Sequence, residues 1–252
     1  PPPRGCPAPL LAWARLGVKG APAGAAEWRN LTFEGRSYTV CEIDMTRDDL
    51  RLFMNDKSGA PYGFFGTLDE ALKTRGLRLG FAMNAGMYHE DRSPVGHYVE
   101  EGKEARGVIS NAGPGNFGLL PNGVLCLRDG RADVIETKRY LDDKPACRFA
   151  TQSGPMLVIE GALHPRFLPD STSRYIRNGV GTSADGKRAV FAISNDIVTF
   201  HEFARLYRDV LELPNALYLD GNISRLRAPN LRRRGAGFTM LGPIIGVVTP
   251  AE

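Results

Sequence analysis

What these 252 residues lack narrows the field first. No run of about 18 apolar residues occurs, so no segment is built to cross a bilayer as a helix. The four cysteines, Cys6, Cys41, Cys126 and Cys147, include no C-x-x-C, which removes the usual frame of a structural zinc site. The four histidines include no i,i+4 pair, so a zincin-type motif is absent. No calcium-loop spacing of acidic residues is present, and no metal or cofactor is expected. The formal net charge of +4 is mild, and no aromatics interleave with the basic residues. No nucleic-acid partner is therefore expected.

What is present is ordinary for a soluble globular chain, with 42% hydrophobic and 24% charged residues. A chain of this size buries roughly 70–75% of its unfolded surface and needs no disulfide or metal to fold. Twenty-nine glycines and 18 prolines favour turns and short strands over long helices. Residues 1–27, rich in Pro, Ala and Gly, read as a disordered N-terminal segment, and Ala23-Gly24-Ala25 has the form of an export cleavage site, a degenerate signal. The domain is expected over 28–252, with no internal linker. Cys126 and Cys147 flank one segment and can pair in an oxidising compartment.

Hairpin patterns dominate. LTFEGRSYTVCEIDM (31–45) turns at Glu34-Gly35-Arg36, and RNGVGTSADGKRAVFAISN (177–195) turns at Asp185-Gly186. A first helix is predicted over 67–76, with Thr67 and Glu70 as a capping box and Gly76 as its stop. A second is predicted over 198–213, capped by Thr199 and Glu202, with Phe203, Leu206, Tyr207, Val210 and Leu211 on one face. About ten short strands and two main helices argue for a single α+β domain with a mixed, mostly antiparallel sheet.

Several strands run into polar groups and glycine. Asn84 and Gly86 end one; Gln152, Ser153 and Gly154 break another; Arg177 and Asn178 open a third; Asp220, Gly221 and Ser224 close a fourth. Asp-Gly alone would make a turn, but four such interruptions in one sheet can converge on one cleft. Arg177 at a strand end suits phosphate, which a guanidinium grips with two parallel hydrogen bonds. Ser153 lacks the first glycine and the following helix of a hydrolase elbow, so a serine esterase is the weaker reading. His201 and His89 are reserve acid/base candidates, and Glu202 is a second carboxylate in competition with its capping role. GPGNFG (113–118) lacks the strand-before, helix-after context of a dinucleotide site and reads as a loop. Arg225, Arg227, Arg232, Arg233 and Arg234 form either a solvated loop or an anion-attracting rim.

In order, FAMNAGMY (81–88), SPVGHYVEEGK (93–103), GPGNFGLLPNGVL (113–125), TQSGPMLV (151–158), STSRYIRNGVG (171–181) and ALYLDGNIS (216–224) resemble the bacterial branch of the phosphodiester glycosidase family. That family includes the uncovering enzyme, which removes N-acetylglucosamine from a phosphodiester-linked mannose. The resemblance implies an α+β fold and a site built from these strand ends, with Arg177 in the R-x-x-x-G element and Asp220 in the LDG element. Where the uncovering enzyme has a glycine-rich run, this chain has Asn222 and Ile223, and then Ser224. A sugar on phosphate has a good leaving group, so cationic stabilisation can replace much of the acid that glycosidases ordinarily need. The resemblance implies a carbohydrate or sugar-phosphate substrate. On this resemblance Asp220 is expected as the base or oxocarbenium stabiliser and Arg177 as the phosphate clamp, with Asn84, Gln152 and Ser224 expected to orient sugar or phosphate oxygens. It also implies a periplasmic or secreted protein. A glycan- or polyanion-binding envelope module on the same fold is the alternative.

Overall fold

The computed structural model describes residues 26–220, 223–235 and 237–251. The expected N-terminal segment lies outside these, except that Ala26 is buried and the first strand starts at Glu27. Among the described residues the strands form three antiparallel sheets. The largest has seven strands in the order β1 (Glu27–Phe33), β2 (Arg36–Asp44), β13 (Arg188–Ser194), β12 (Asn178–Thr182), β14 (Asn215–Asp220), β10 (Met156–Ile159) and β11 (Ala162–Leu163). The second orders β15 (Leu226–Arg227), β4 (Leu77–Asn84), β16 (Ile244–Pro250) and β3 (Asp49–Phe53). The third orders β6 (Lys103–Arg106), β5 (Tyr98–Glu100), β9 (Phe149–Ser153), β7 (Gly123–Arg128) and β8 (Arg131–Glu136). Every strand pairing is antiparallel among the described residues.

Alternation along the strands decides the layers. Val180, Leu217, Leu219, Phe191 and Ile193 turn to one side of the seven-stranded sheet, where Phe81, Met83, Leu125 and Ile245 of the other sheets meet them in the main core. Tyr38, Val190, Ala216 and Tyr218 turn to the opposite side and are covered by α3 (Phe200–Arg205), whose Phe203 packs there with Leu206 and Tyr207. That helix carries the expected Thr199–Glu202 capping box and then widens into a π-helical turn over Leu206–Val210. It lies so close to the sheet that a Cβ on Gly181 would sit 2.7 Å from Leu213 and 2.9 Å from Tyr207.

Two details depart from the sequence reading. The first helix, α1 (Phe65–Lys73), starts two residues early, and Thr67 caps nothing. Phe65, Leu68 and Leu72 bury one face on the four-stranded sheet, and that face sets the start of the helix. A short unexpected helix, α2 (Thr137–Asp143), forms because the Glu136 carboxylate accepts from the N–H groups of Lys138 and Arg139. Cys126 and Cys147 are joined by a disulfide next to it.

Candidate active site

The end of β14, the start of β12 and the end of β4 meet at one place. Asp220 pairs with Asn178 across β14 and β12, with a bulge between Asn178 and Gly179. The fully buried Asn178 is the hub. Its Oδ1 accepts from the Asp220 N–H at 3.0 Å, and its Nδ2 donates to Asn84 Oδ1 at 2.9 Å. Asn84 Oδ1 also accepts from the Arg225 N–H at 2.9 Å, so the segment after Asp220 is tied to the same amide. The Ser224 hydroxyl lies 3.0 Å from Asp220 O and 3.2 Å from Ile176 O. Gly221 lies outside the described residues.

Arg177 is the largest fully buried side chain, and among the described residues no carboxylate pairs with it. Its guanidinium stacks 3.6 Å from the centre of the Phe200 ring, with the rings of Tyr175 at 5.4 Å and Tyr218 at 5.5 Å. Nε donates to Val198 O and Nη2 to Ser173 O, at 2.9 and 3.1 Å. The two-pronged grip expected for phosphate is thereby taken up by backbone, and Nη1 makes no hydrogen bond of ordinary length and angle among the described residues, although the Tyr218 hydroxyl stands close to the guanidinium. Burial pulls the Arg177 pKa below its ordinary value, with the nearby Tyr218 hydroxyl opposing that. A guanidinium keeps its proton even so.

Seven buried side-chain atoms lack a hydrogen-bond partner among the described residues, and three of them, Asn84 Nδ2, Arg177 Nη1 and Tyr218 Oη, belong to this one sheet end. Unpaired buried polar atoms are rare, and their grouping at this sheet end marks it as polar enough to hold water or a ligand oxygen. Tyr218 is two residues before Asp220. Burial, and then the Asp220 charge, raise its pKa, against the opposing pull of Arg177. Tyr88 is raised in the same way, first by burial and then by Asp220. The Asp220 carboxylate thus acts on both tyrosines. A carboxylate and a buried cation with no carboxylate partner among the described residues therefore stand on neighbouring strands, and both act on the Tyr218 phenol.

Other expected residues go elsewhere. Gln152 uses its whole amide internally: Oε1 accepts from the His97 and Ile109 N–H groups, and Nε2 donates to Ile109 O and Thr137 Oγ1. It positions a loop and is unavailable to orient a sugar. Ser153 donates to Leu219 O at 2.8 Å, which braces β14 just before Asp220. Gly86 is needed for close approach, since a Cβ there would sit 2.9 Å from Thr151 Oγ1 at a φ of +123°. Gly154 packs equally tightly on Asn122, with 2.6 Å to its Cβ. His201 is half-buried in the first turn of α3, with no side-chain hydrogen bond to Asp220 or Arg177 among the described residues. His89 is exposed in a turn. Glu202 is held by its capping role and by Arg174 at 2.7 Å, which removes it as a second carboxylate.

The arginine run is mostly tied down. Arg225 donates to Thr239 O, Arg227 pairs with the buried Asp69 at 2.7 Å, and Arg233 bonds Thr39 and Asn195. Tyr218, Phe200, Tyr175 and Tyr88 escaped the sequence reading. The available signal was the i−2 spacing of Tyr218 before Asp220 and of Tyr175 before Arg177. Among the described residues no group of three or more His, Cys, Asp or Glu side chains is placed to hold a metal ion.

Comparison with known proteins adds to this geometry. The uncharacterized protein YigE of Escherichia coli K12 is 32% identical over 195 residues, covering 77% of this chain and 74% of that protein. The fold is shared with the catalytic domain of zebrafish N-acetylglucosamine-1-phosphodiester alpha-N-acetylglucosaminidase, auto-inhibited by its pro-peptide. The TM-score is 0.62 at 12% identity, over 91% of this chain and 85% of that one. A hypothetical protein from Synechocystis gives a TM-score of 0.61 at 14% identity, over 88% of this chain, which spans 61% of that protein's length. Residues 78–230, which carry Asn84, Arg177, Asn178 and Asp220 on one stretch, match the phosphodiester glycosidase family, and to that family the chain belongs.

Proposed function

We propose that the chain hydrolyses the bond between a sugar's anomeric carbon and a phosphodiester oxygen, on an envelope or exported glycan. Membership of a glycosidase family supports the activity class. The observation that carries the finer reading is the buried Arg177, which no carboxylate compensates among the described residues and whose Nη1 faces at most the Tyr218 hydroxyl. A buried uncompensated cation is costly, and a bound phosphate oxygen would offset that cost.

In this reading Arg177 faces the phosphate through Nη1, and Asp220 faces the anomeric carbon as base or oxocarbenium stabiliser. When Asp220 acts as base, water's proton passes to Asp220 as water's oxygen bonds to the anomeric carbon. The carbon–oxygen bond to phosphate breaks, and its electron pair leaves with the phosphate monoester next to Arg177. No general acid is required, because a phosphate oxygen leaves far more readily than an alkoxide. Asn84 Nδ2, buried and without a partner among the described residues, is the donor assigned to a substrate oxygen. The Cys126–Cys147 disulfide supports an exported protein, since such bonds persist in oxidising compartments.

The test is release of free sugar from an α-sugar-1-phosphodiester by the wild-type chain and by Asp220→Asn. Asp220→Asn is expected to lose about 10²- to 10⁴-fold in rate with an unchanged thermal midpoint. Wild-type turnover in that variant would remove Asp220 from the chemical step. The polyanion-binding alternative has less support, because three of the five clustered arginines are engaged within the protein.

A further inference from the structure

Three aromatic rings surround the Arg177 guanidinium, and they differ sharply in exposure. Tyr218 is fully buried and Phe200 half-buried, but Tyr175 is 51% exposed. It is one of only five large hydrophobic side chains left exposed among the described residues. Of the three rings, Tyr175 is the one that presents the arginine's surroundings to solvent.

Its backbone is fixed. The Tyr175 N–H donates to Val198 O at 3.1 Å, and Tyr175 O accepts from the Val198 N–H at 2.9 Å. The same Val198 O accepts from Arg177 Nε at 2.9 Å. The Tyr175 backbone and the Arg177 guanidinium are therefore anchored to one carbonyl, and the Tyr175 ring lies 5.4 Å from the guanidinium.

Strand register gives the direction. Asp220 pairs with Asn178, so Arg177 is one residue beyond that pair and Tyr175 three residues beyond it. At about 3.3 Å per residue the Tyr175 backbone lies up to about 10 Å beyond Asp220. The order along the chain leaving the sheet is Asp220, Arg177, Tyr175.

We propose that Tyr175 is a specificity-determining residue whose exposed ring packs against the aglycone of the phosphodiester. The inference rests on the reading given for Asp220 and Arg177. With the anomeric carbon at Asp220 and the phosphate at Arg177, the group next in line is the one on the far side of the phosphate. An exposed phenol ring takes a C–H face, which a second sugar ring and an alkyl chain both offer. A methyl aglycone offers too little surface to gain from it.

The experiment uses the full chain and three phosphates that mimic the aglycone side of the product: methyl phosphate, glucose 6-phosphate and decyl phosphate below its micelle concentration. Binding is measured by titration calorimetry for wild type, Tyr175→Ala and Tyr175→Phe. Wild type is expected to bind at least one of the two larger phosphates about tenfold more tightly than methyl phosphate. Which of the two gains identifies the aglycone as sugar or alkyl. Tyr175→Ala should erase that preference and leave methyl phosphate unchanged, and Tyr175→Phe should restore it. Three results overturn the inference: equal affinity of wild type for all three phosphates, no effect of Tyr175→Ala, or equal weakening of all three by Tyr175→Ala, which would make Tyr175 a brace for Arg177. Hydrolysis is assayed separately. Cleavage without a Tyr175-dependent preference removes the subsite alone. The preference without any phosphodiester cleavage keeps the Tyr175 contact and removes the catalytic reading of Asp220.

Discussion

Asn178 Nδ2 donates to Asn84 Oδ1 at 2.9 Å, and this bond joins two sheets at the point where Asp220 leaves the larger one. One amide thus links the ends of β4, β12 and β14. Asn178→Ala removes the acceptor of the Asp220 N–H and one of the donors to Asn84. Leaving such groups unpaired costs about 1–3 kcal/mol, so that loss is expected in chemical denaturation. The rate on a sugar-1-phosphodiester should fall as well, because Asp220 is no longer fixed. An unchanged denaturation midpoint would show that Asn178 is not the clip between the sheets.

Arg177→Met separates function from stability. The variant loses the bonds to Val198 O and Ser173 O but also removes a buried cation that no carboxylate balances among the described residues. Lost hydrogen bonds cost about 1 kcal/mol each, and replacing a poorly compensated buried charge with an apolar side chain offsets part of that. The expected outcome is a change in stability within about 2 kcal/mol, together with loss of phosphate binding by calorimetry. Retained phosphate affinity would sink the clamp role.

Part of this sheet end was legible in the sequence, because a buried strand has few reasons to end on Asn, Arg or Asp. Asn84, Asn178 and Asp220 are joined by hydrogen bonds, and Arg177 precedes Asn178 in the chain while its guanidinium packs on Phe200. Gln152 and Ser153 carried the same pattern, yet they turn to Ile109, Thr137 and Leu219 O. Which carbonyl a side chain will meet is set by tertiary contact and leaves no trace in local spacing. The two capping-box patterns make the same point. Thr199–Glu202 forms the box; Thr67–Glu70 does not, because the apolar face of α1 begins at Phe65. The stack around Arg177 was invisible for a similar reason: Tyr175, Phe200 and Tyr218 come from three separate segments.

The Cys126–Cys147 bond closes a loop with a sequence separation of 21. Closing a loop of that length stabilises by about 3 kcal/mol in the chain-entropy account. Cys147→Ser should lower stability by about that amount in non-reducing buffer and make it insensitive to dithiothreitol. The effect should extend beyond the loop, because Tyr140 of α2 bonds His97 Nε2 at 3.0 Å, and the His97 N–H donates to Gln152. A wild-type protein with the same midpoint in oxidising and reducing buffer would argue against a stabilising disulfide.

Stability should depend on pH with two opposing signs. Burial alone would raise the Asp133 pKa, but its bonds to Arg131 and Arg128 outweigh that and lower it. A carboxyl with a depressed folded pKa stabilises fully above its unfolded value, about 3.9, and that contribution is lost as pH falls through the folded value. Glu202 behaves likewise: burial is outweighed by the Thr199 N–H and by Arg174. Glu100 has the opposite sign. Burial raises its pKa despite the Tyr98 hydroxyl, so the folded chain holds that proton longer and loses stability as pH rises from about 4.3 through the raised value. Asp133→Asn should therefore weaken the protein at pH 7 and have little effect near pH 2. Glu100→Gln keeps an oxygen to accept from Tyr98, gives up the acceptor of the Met54 N–H, and should lose none of the stability that the wild type loses as pH rises through the raised Glu100 value. Urea denaturation of the three proteins from pH 2 to 8 tests both signs. Parallel stability curves would mean that neither carboxyl titrates differently on folding.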